Sequence, residues 1–240
     1  MTELLYYDDA YLQEFDAAVT AVDGDRVALD RTAFYPGGGG QLNDEGWLTT
    51  DGVYLRVAKV KKEGADVWHW LEGTDGGLPE IAIGQPVHGA LDWERRYALM
   101  RTHTAMHILC GVVWRDYQAS VTGGNMDPGA GRMDFEFVAM SRELVTEIEA
   151  KCNAEIAATR PVRDRILPRE EAFQIPDLIR TKINLLPAGI SEVRTVELVG
   201  LDLQADGGTH VRNTSEVGRM RVTDYKSKGA INKRIYIELG

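Results

Sequence analysis

From Glu94 to Cys110 the chain contains neither glycine nor proline, and Tyr97, Met100, Met106, Leu109 and, past Gly111, Val113 recur at helical spacing. Apolar positions three and four residues apart share one side of an α-helix, so the pattern predicts a single long helix from Glu94 to about Asp116. The sequence before it has a different rhythm. Up to about Leu91, alternating runs (AAVTAVDGDRVALD, GWLTTDGVYLRVAKVKK, VWHWLEG, QPVHGALDW) are parted by Asp-Gly and Gly-rich turns. That is the punctuation of many short strands in a small barrel or sandwich. A second helix is expected from about Arg142 to Ala158, capped by Ser141. Its apolar face would be Leu144, Val145, Ile148, Cys152 and Ile156, with the intervening glutamates in water. Strand-like alternation returns towards the C-terminus, broken by DLQADGGTHVRNT. The expected fold is α+β, with a small β-barrel-like N-terminal domain over 1–91 and an α+β domain over 92–240.

Composition narrows the setting. A hydrophobic content of 44% and a charged content of 27% over 240 residues suit an ordinary globular protein. The two cysteines, Cys110 and Cys152, fall in expected helices, which suits a reducing cytoplasm better than a disulfide framework. The N-terminus lacks the pattern of a secretory signal, and no apolar run is long enough for a membrane helix. A formal net charge of -10 argues against indiscriminate binding to nucleic acid. The charge is unevenly spread, however: Val211 to Arg234 holds seven basic and two acidic residues.

His103 and His107 are four apart on the expected helix, so both imidazoles can face one ion, with Cβ atoms about 6 Å apart. An equally ordinary arrangement buries one histidine in the core and exposes the other. Asp206 and His210 repeat the spacing in a Gly-rich loop, where side chains can converge on a site, yet such residues also cap turns. Spacing alone leaves the two readings level. Cys110 lies on the same side of the helix, but its Cα would sit about 10 Å along the axis from that of His103, awkward for one tetrahedral ion.

Longer motifs shift the balance. HTAMH preceded by DWERRYALMR, and GGTHVRNTSEVG late in the chain, resemble the HxxxH and CxxxH motifs of the alanyl-tRNA synthetase editing domain and the free-standing AlaX-type editing proteins. AFYPGGGGQLNDEG is similar to the Gly-rich segment that precedes the editing domain in both, and RMDFEF and KGAINKRI match further family segments in the family's order. The resemblance is to the medium-length, two-domain type.

It implies hydrolysis of the ester on a tRNA for alanine that carries serine or glycine, and one divalent ion, zinc, on His103, His107, Asp206 and His210. It places Gln41 against the substrate and makes Thr32 a candidate partner for a serine hydroxyl, beside a plainer role as a strand threonine. It implies tRNA contacts by Arg212, Lys226, Lys228, Lys233 and Arg234. One departure stands out: Asp206 occupies the position where the family usually has cysteine, and carboxylate oxygen is a harder ligand than thiolate. Two rival functions are a metal-stabilised tRNA-binding module without catalysis and a metal-dependent hydrolase of a small ester or amide. His69 and His88 receive no role, and Trp68, Trp70 and Trp93 are read as core residues. Oligomeric state is left open.

Overall fold

The computed structural model describes residues 1–73, 77–179 and 189–240. The chain divides into two compact units, Met1–Ala98 and Leu99–Gly240.

The first unit contains β1 (Glu3–Leu4), β2 (Glu14–Asp23), β3 (Arg26–Leu29), β4 (Arg31–Thr32), β5 (Gly46–Thr50), β6 (Val53–Glu63), β7 (Asp66–Glu72) and β8 (Pro86–Leu91). Six strands close into an antiparallel barrel in the order β2-β3-β7-β6-β5-β8, while β1 and β4 form a short parallel pair. Closure leaves the barrel no edge strand to protect. Phe15, Val19, Leu29, Phe34, Leu48, Leu55, Val57, Val67 and Leu71 fill its interior.

In β7 the period of two turns Val67, His69 and Leu71 inward and leaves Trp68 and Trp70 half-buried on the outer face. There the Arg26 guanidinium lies 4.5 Å from the Trp68 ring and 5.2 Å from that of Trp70, with the Lys59 ammonium 4.6 Å from Trp70. The expectation that both tryptophans are core residues is therefore corrected: strand parity gives the interior position to the histidine between them. Trp93 is also half-buried, stacked on Tyr97 at the start of the long helix.

The long helix, α1 (Trp93–Tyr117), begins in the first unit and continues in the second. The second unit adds β9 (Val121–Asp127), β10 (Ala130–Glu136), α2 (Arg142–Ala157), β11 (Val162–Pro168), α3 (Arg169–Ala172), β12 (Glu192–Leu198), β13 (Asp202–Ala205), β14 (Met220–Ser227) and β15 (Asn232–Leu239). Two antiparallel sheets result, β14-β15-β10-β9 and β11-β12-β13. Residues 102–113 of α1 are all buried, so this helix is enclosed on every side rather than along one stripe.

Gly111 explains how closely it is enclosed. A Cβ there would stand 3.0 Å from Asp202 Cβ and from Leu201 Cγ, so the missing side chain lets α1 press onto the β12–β13 turn. Ser141 caps α2 by accepting the Leu144 N–H at 3.2 Å, and Val145, Ile148, Cys152 and Ile156 are buried as the periodicity requires. Glu155 departs from the expected wet glutamate face. It is buried between Arg115 and Arg160, at 2.5 and 2.6 Å, which supply the donors a dry carboxylate needs. Among the described residues no helix is long and apolar enough to cross a membrane.

One buried ion pair organises the Gly-rich segment. Arg96, fully buried in the first turns of α1, donates through Nε to both Asp44 oxygens, at 3.0 and 2.9 Å, and through Nη2 to Asp44 as well. Its remaining donors reach the carbonyls of Ala10 (2.9 Å) and Ala33 (2.5 Å). Asp44 accepts the Tyr35 N–H at 2.6 Å, and its own N–H returns to the Tyr35 carbonyl at 3.0 Å. Between these anchors, Gly37, Gly38, Gly39 and Gly40 all have positive φ (81°, 133°, 58° and 89°). The turn is closed by reciprocal backbone bonds between Gly38 and Gln41, at 3.0 and 2.9 Å.

Neutralising Asp44 leaves a buried guanidinium uncompensated, so Asp44→Asn is expected to destabilise the protein by about 3–5 kcal/mol, measurable by denaturant unfolding. An unchanged unfolding midpoint would contradict this account.

The barrel histidine gives a pH dependence. His69 is fully buried, with Nε2 2.9 Å from the Thr32 hydroxyl and Nδ1 3.3 Å from the Val27 carbonyl. Burial pushes its pKa from 6.5 down to about 4. As pH falls the unfolded chain takes up this proton first, so stability held above pH 6.5 is lost progressively towards pH 4, by about 3 kcal/mol. Comparing unfolding free energies at pH 7 and pH 4 for wild type and His69→Gln isolates the contribution. Equal pH dependence in the two proteins would rule it out.

Candidate metal centre

His103 and His107 project from the buried middle of α1, one turn apart, while Asp206 and His210 come from the loop after β13. Their ligand atoms all lie within 4.8 Å of one another. The His103 and His210 rings are stacked with centroids 4.2 Å apart, and His107 stands edge-on to both, at 5.2 and 4.7 Å. Asp206 reaches His210 Nε2 at 3.0 Å and His103 Nε2 at 3.5 Å. All three histidines are nearly inaccessible to solvent.

Each ring has a polar partner on its other side. The Thr104 hydroxyl lies 3.2 Å from His210 Nδ1, Asp202 Oδ2 lies 3.3 Å from His107 Nδ1, and His103 hydrogen-bonds the backbone of Thr209. Such outer partners set ring orientation and tautomer in metal sites. The loop itself is pinned. Gly208 N–H donates to Asp206 Oδ2 at 2.7 Å, and Arg194 from β12 donates to the Asp206 and Gly208 carbonyls at 3.3 and 2.8 Å.

The electrostatics of His103, His210 and Asp206 suit ligation. Burial lowers the His103 pKa to about 4, and burial together with the neighbouring His103 takes His210 well below the ordinary histidine value. Burial acts the same way on His107, but the neighbouring Asp202 carboxylate and the charge of Asp206 outweigh it and raise the value. Burial would raise the Asp206 pKa, yet the surrounding histidines hold it well below the usual carboxylate value. Neutral imidazoles beside an ionised carboxylate are the forms that bind a cation. Three nitrogens and one oxygen are a donor set that zinc accepts in tetrahedral geometry. The four residues therefore fit a divalent ion on their chemistry as well as their spacing.

The other candidate residues are placed as follows. Cys110 is buried and outside the ligand cluster. Gln41 is buried at the closure of the Gly-rich turn. Thr32 is fully buried, its hydroxyl engaged by His69 and by the Phe34 N–H at 3.1 Å. Arg212, Lys226 and Lys228 are exposed. Lys233 is buried and donates to the Gly229 and Ala230 carbonyls at 2.8 and 2.9 Å. Arg234 grips Asp134 with two bonds, at 2.6 and 2.7 Å. Sequence reasoning missed Asp202, Thr104 and Arg194. Asp202 alone left a trace, since it precedes Asp206 by the same four residues that separate Asp206 from His210.

Known proteins combine these two regions. A family model described as tRNA synthetases class II (A) matches residues 4–95, and one described as the threonyl and alanyl tRNA synthetase second additional domain matches residues 193–236. The second match contains both loop ligands, which places the centre in a domain class shared with those synthetases. The alanyl-tRNA editing protein AlaX-M of Saccharolobus solfataricus is 38% identical over 98% of each chain. Its counterpart in Methanosarcina acetivorans is 38% identical over 100% of this chain and 99% of its own. The alanine–tRNA ligase of Ignicoccus hospitalis is 37% identical over 92% of this chain, which corresponds to 24% of the ligase. The chain belongs to the AlaX-M family of alanyl-tRNA editing proteins.

Proposed function

We propose that this protein hydrolyses the ester joining serine or glycine to the tRNA for alanine, as a cytoplasmic editing enzyme that depends on one zinc ion. The carrying observation is the convergence of His103, His107, Asp206 and His210 within 4.8 Å, in a chain similar over its whole length to alanyl-tRNA editing proteins. A bound zinc ion supplies Lewis acidity and a fixed anchor for a polar group of the substrate. The residues around it exclude water, and burial keeps the His103 and His210 imidazoles neutral. The Thr104 hydroxyl is committed to His210 and to the Val211 N–H at 3.3 Å, which supports direct hydrolysis by water over a covalent acyl-enzyme.

In this proposal Gln41 contacts the substrate. Thr32 acts by fixing Phe34 at the entry to the Gly-rich turn, because its hydroxyl is already engaged. Arg212, Lys226 and Lys228 meet the tRNA backbone, while Lys233 and Arg234 hold the β14–β15 hairpin that presents them.

Purified protein is expected to carry about one equivalent of metal and to release serine or glycine, but not alanine, from the charged tRNA. His103→Ala should lose the metal and more than about 100-fold in rate, beyond the 10–100-fold typical of losing an outer partner. Tight tRNA binding without release would instead indicate a binding module, and turnover of small esters regardless of tRNA a small-substrate hydrolase. The paired change Lys226→Ala and Lys228→Ala should raise KM for charged tRNA and lower the salt slope by about 2. An unaltered slope would remove the hairpin from the tRNA surface.

A further inference from the structure

We propose that Asp202 is a positioning residue for the metal centre, holding His107 in the tautomer and orientation that present Nε2 to the ion. The inference rests on the zinc-dependent reading above and concerns a residue outside the ligand set. A neutral imidazole carries its proton on one nitrogen and offers a lone pair on the other, so whatever accepts the proton decides which nitrogen can ligate. For His107 the facing carboxylate is Asp202: its Oδ2 stands 3.3 Å from Nδ1 in an ion-pair contact whose angle falls short of a hydrogen bond, and both residues are buried. Gln204 fixes the carboxylate from the other side, donating from Nε2 to the same oxygen at 2.6 Å.

The approach is built into α1. His103, His107 and Gly111 follow one another at four-residue steps and so lie along one face of the helix. Gly111 lets that face meet the β12–β13 turn, since a Cβ there would stand 3.0 Å from Asp202 Cβ. The turn is also held by its backbone. It is closed by the Leu201 N–H on the Leu198 carbonyl at 2.8 Å, and Asp202 pairs with Leu198 through backbone register. A carboxylate buried here is costly unless its charge is answered, and Gln204 donates to it while His107 stands beside it.

The test is zinc affinity of the whole chain, by competition with a chelator, for wild type and Asp202→Asn. Asparagine keeps the volume but loses the charge, and zinc is expected to bind 10–100-fold more weakly, while the unfolding temperature of the metal-free protein stays near wild type. Asp202→Glu should recover part of the affinity. Equal zinc affinity in wild type and Asp202→Asn would overturn the assignment, as would a loss of metal-free stability that accounts for the whole change. Should the variant not fold, the zinc-loaded wild type decides: nitrogen-15 spectra are expected to show the His107 proton on Nδ1, and metal on Nδ1 refutes the role. A wild-type chain with no affinity for zinc refutes the metal-dependent reading itself, a result separable from the others.

Discussion

A guanidinium and a carboxylate can be buried together only when every donor is answered, because each charge removed from water loses several kcal/mol of solvation. Arg96 and Asp44 meet that condition by recruiting backbone as well as each other. Each Arg96 nitrogen has an acceptor, two of them the carbonyls of Ala10 and Ala33, and Asp44 also takes the Tyr35 N–H. One pair thereby ties together the chain before the barrel, the segment entering the Gly-rich turn and the first turns of α1. The pair is also intolerant of partial loss, since a lone buried charge is worse than none.

The candidate metal centre follows the same logic in a different medium. Two of its candidate ligands lie on a helix enclosed on all sides and two on a loop packed against it; desolvation keeps His103 and His210 neutral, and the imidazoles keep the Asp206 carboxylate charged. Arg194, Thr104 and Asp202 form a layer behind them, each touching either a ring or the loop that carries Asp206 and His210. With Asp206 among the candidate ligands, the donor set is three imidazole nitrogens and one hard carboxylate oxygen, with no soft thiolate.

Whatever depends on local periodicity was readable from the sequence. The barrel announced itself through alternating runs and Asp-Gly turns, α1 and α2 through apolar spacing, and the α2 cap through Ser141. His103 with His107, and Asp206 with His210, were visible as repeated spacings, although the motif resemblance was needed to join them. Pairings across the chain left no such mark. Arg96 and Asp44 are 52 residues apart and look like ordinary surface charges, as do Arg234, bonded to Asp134, and Glu155, bonded to Arg115. The tryptophans of β7 were misjudged for a related reason. Parity shows that Trp68 and Trp70 share a face, but only barrel closure decides which face is inside, and it chose that of His69.

The Gly-rich turn carries a final consequence. At Gly38 an added Cβ would meet nothing nearer than the Tyr35 hydroxyl, at an ordinary 3.6 Å, yet its φ of 133° is one that L-residues rarely adopt. Size is therefore not what restricts this position. Handedness is: a D-amino acid would sit where an L-amino acid strains, so the turn is a piece of mirror-image backbone that a ribosomal chain can build only from its single achiral residue.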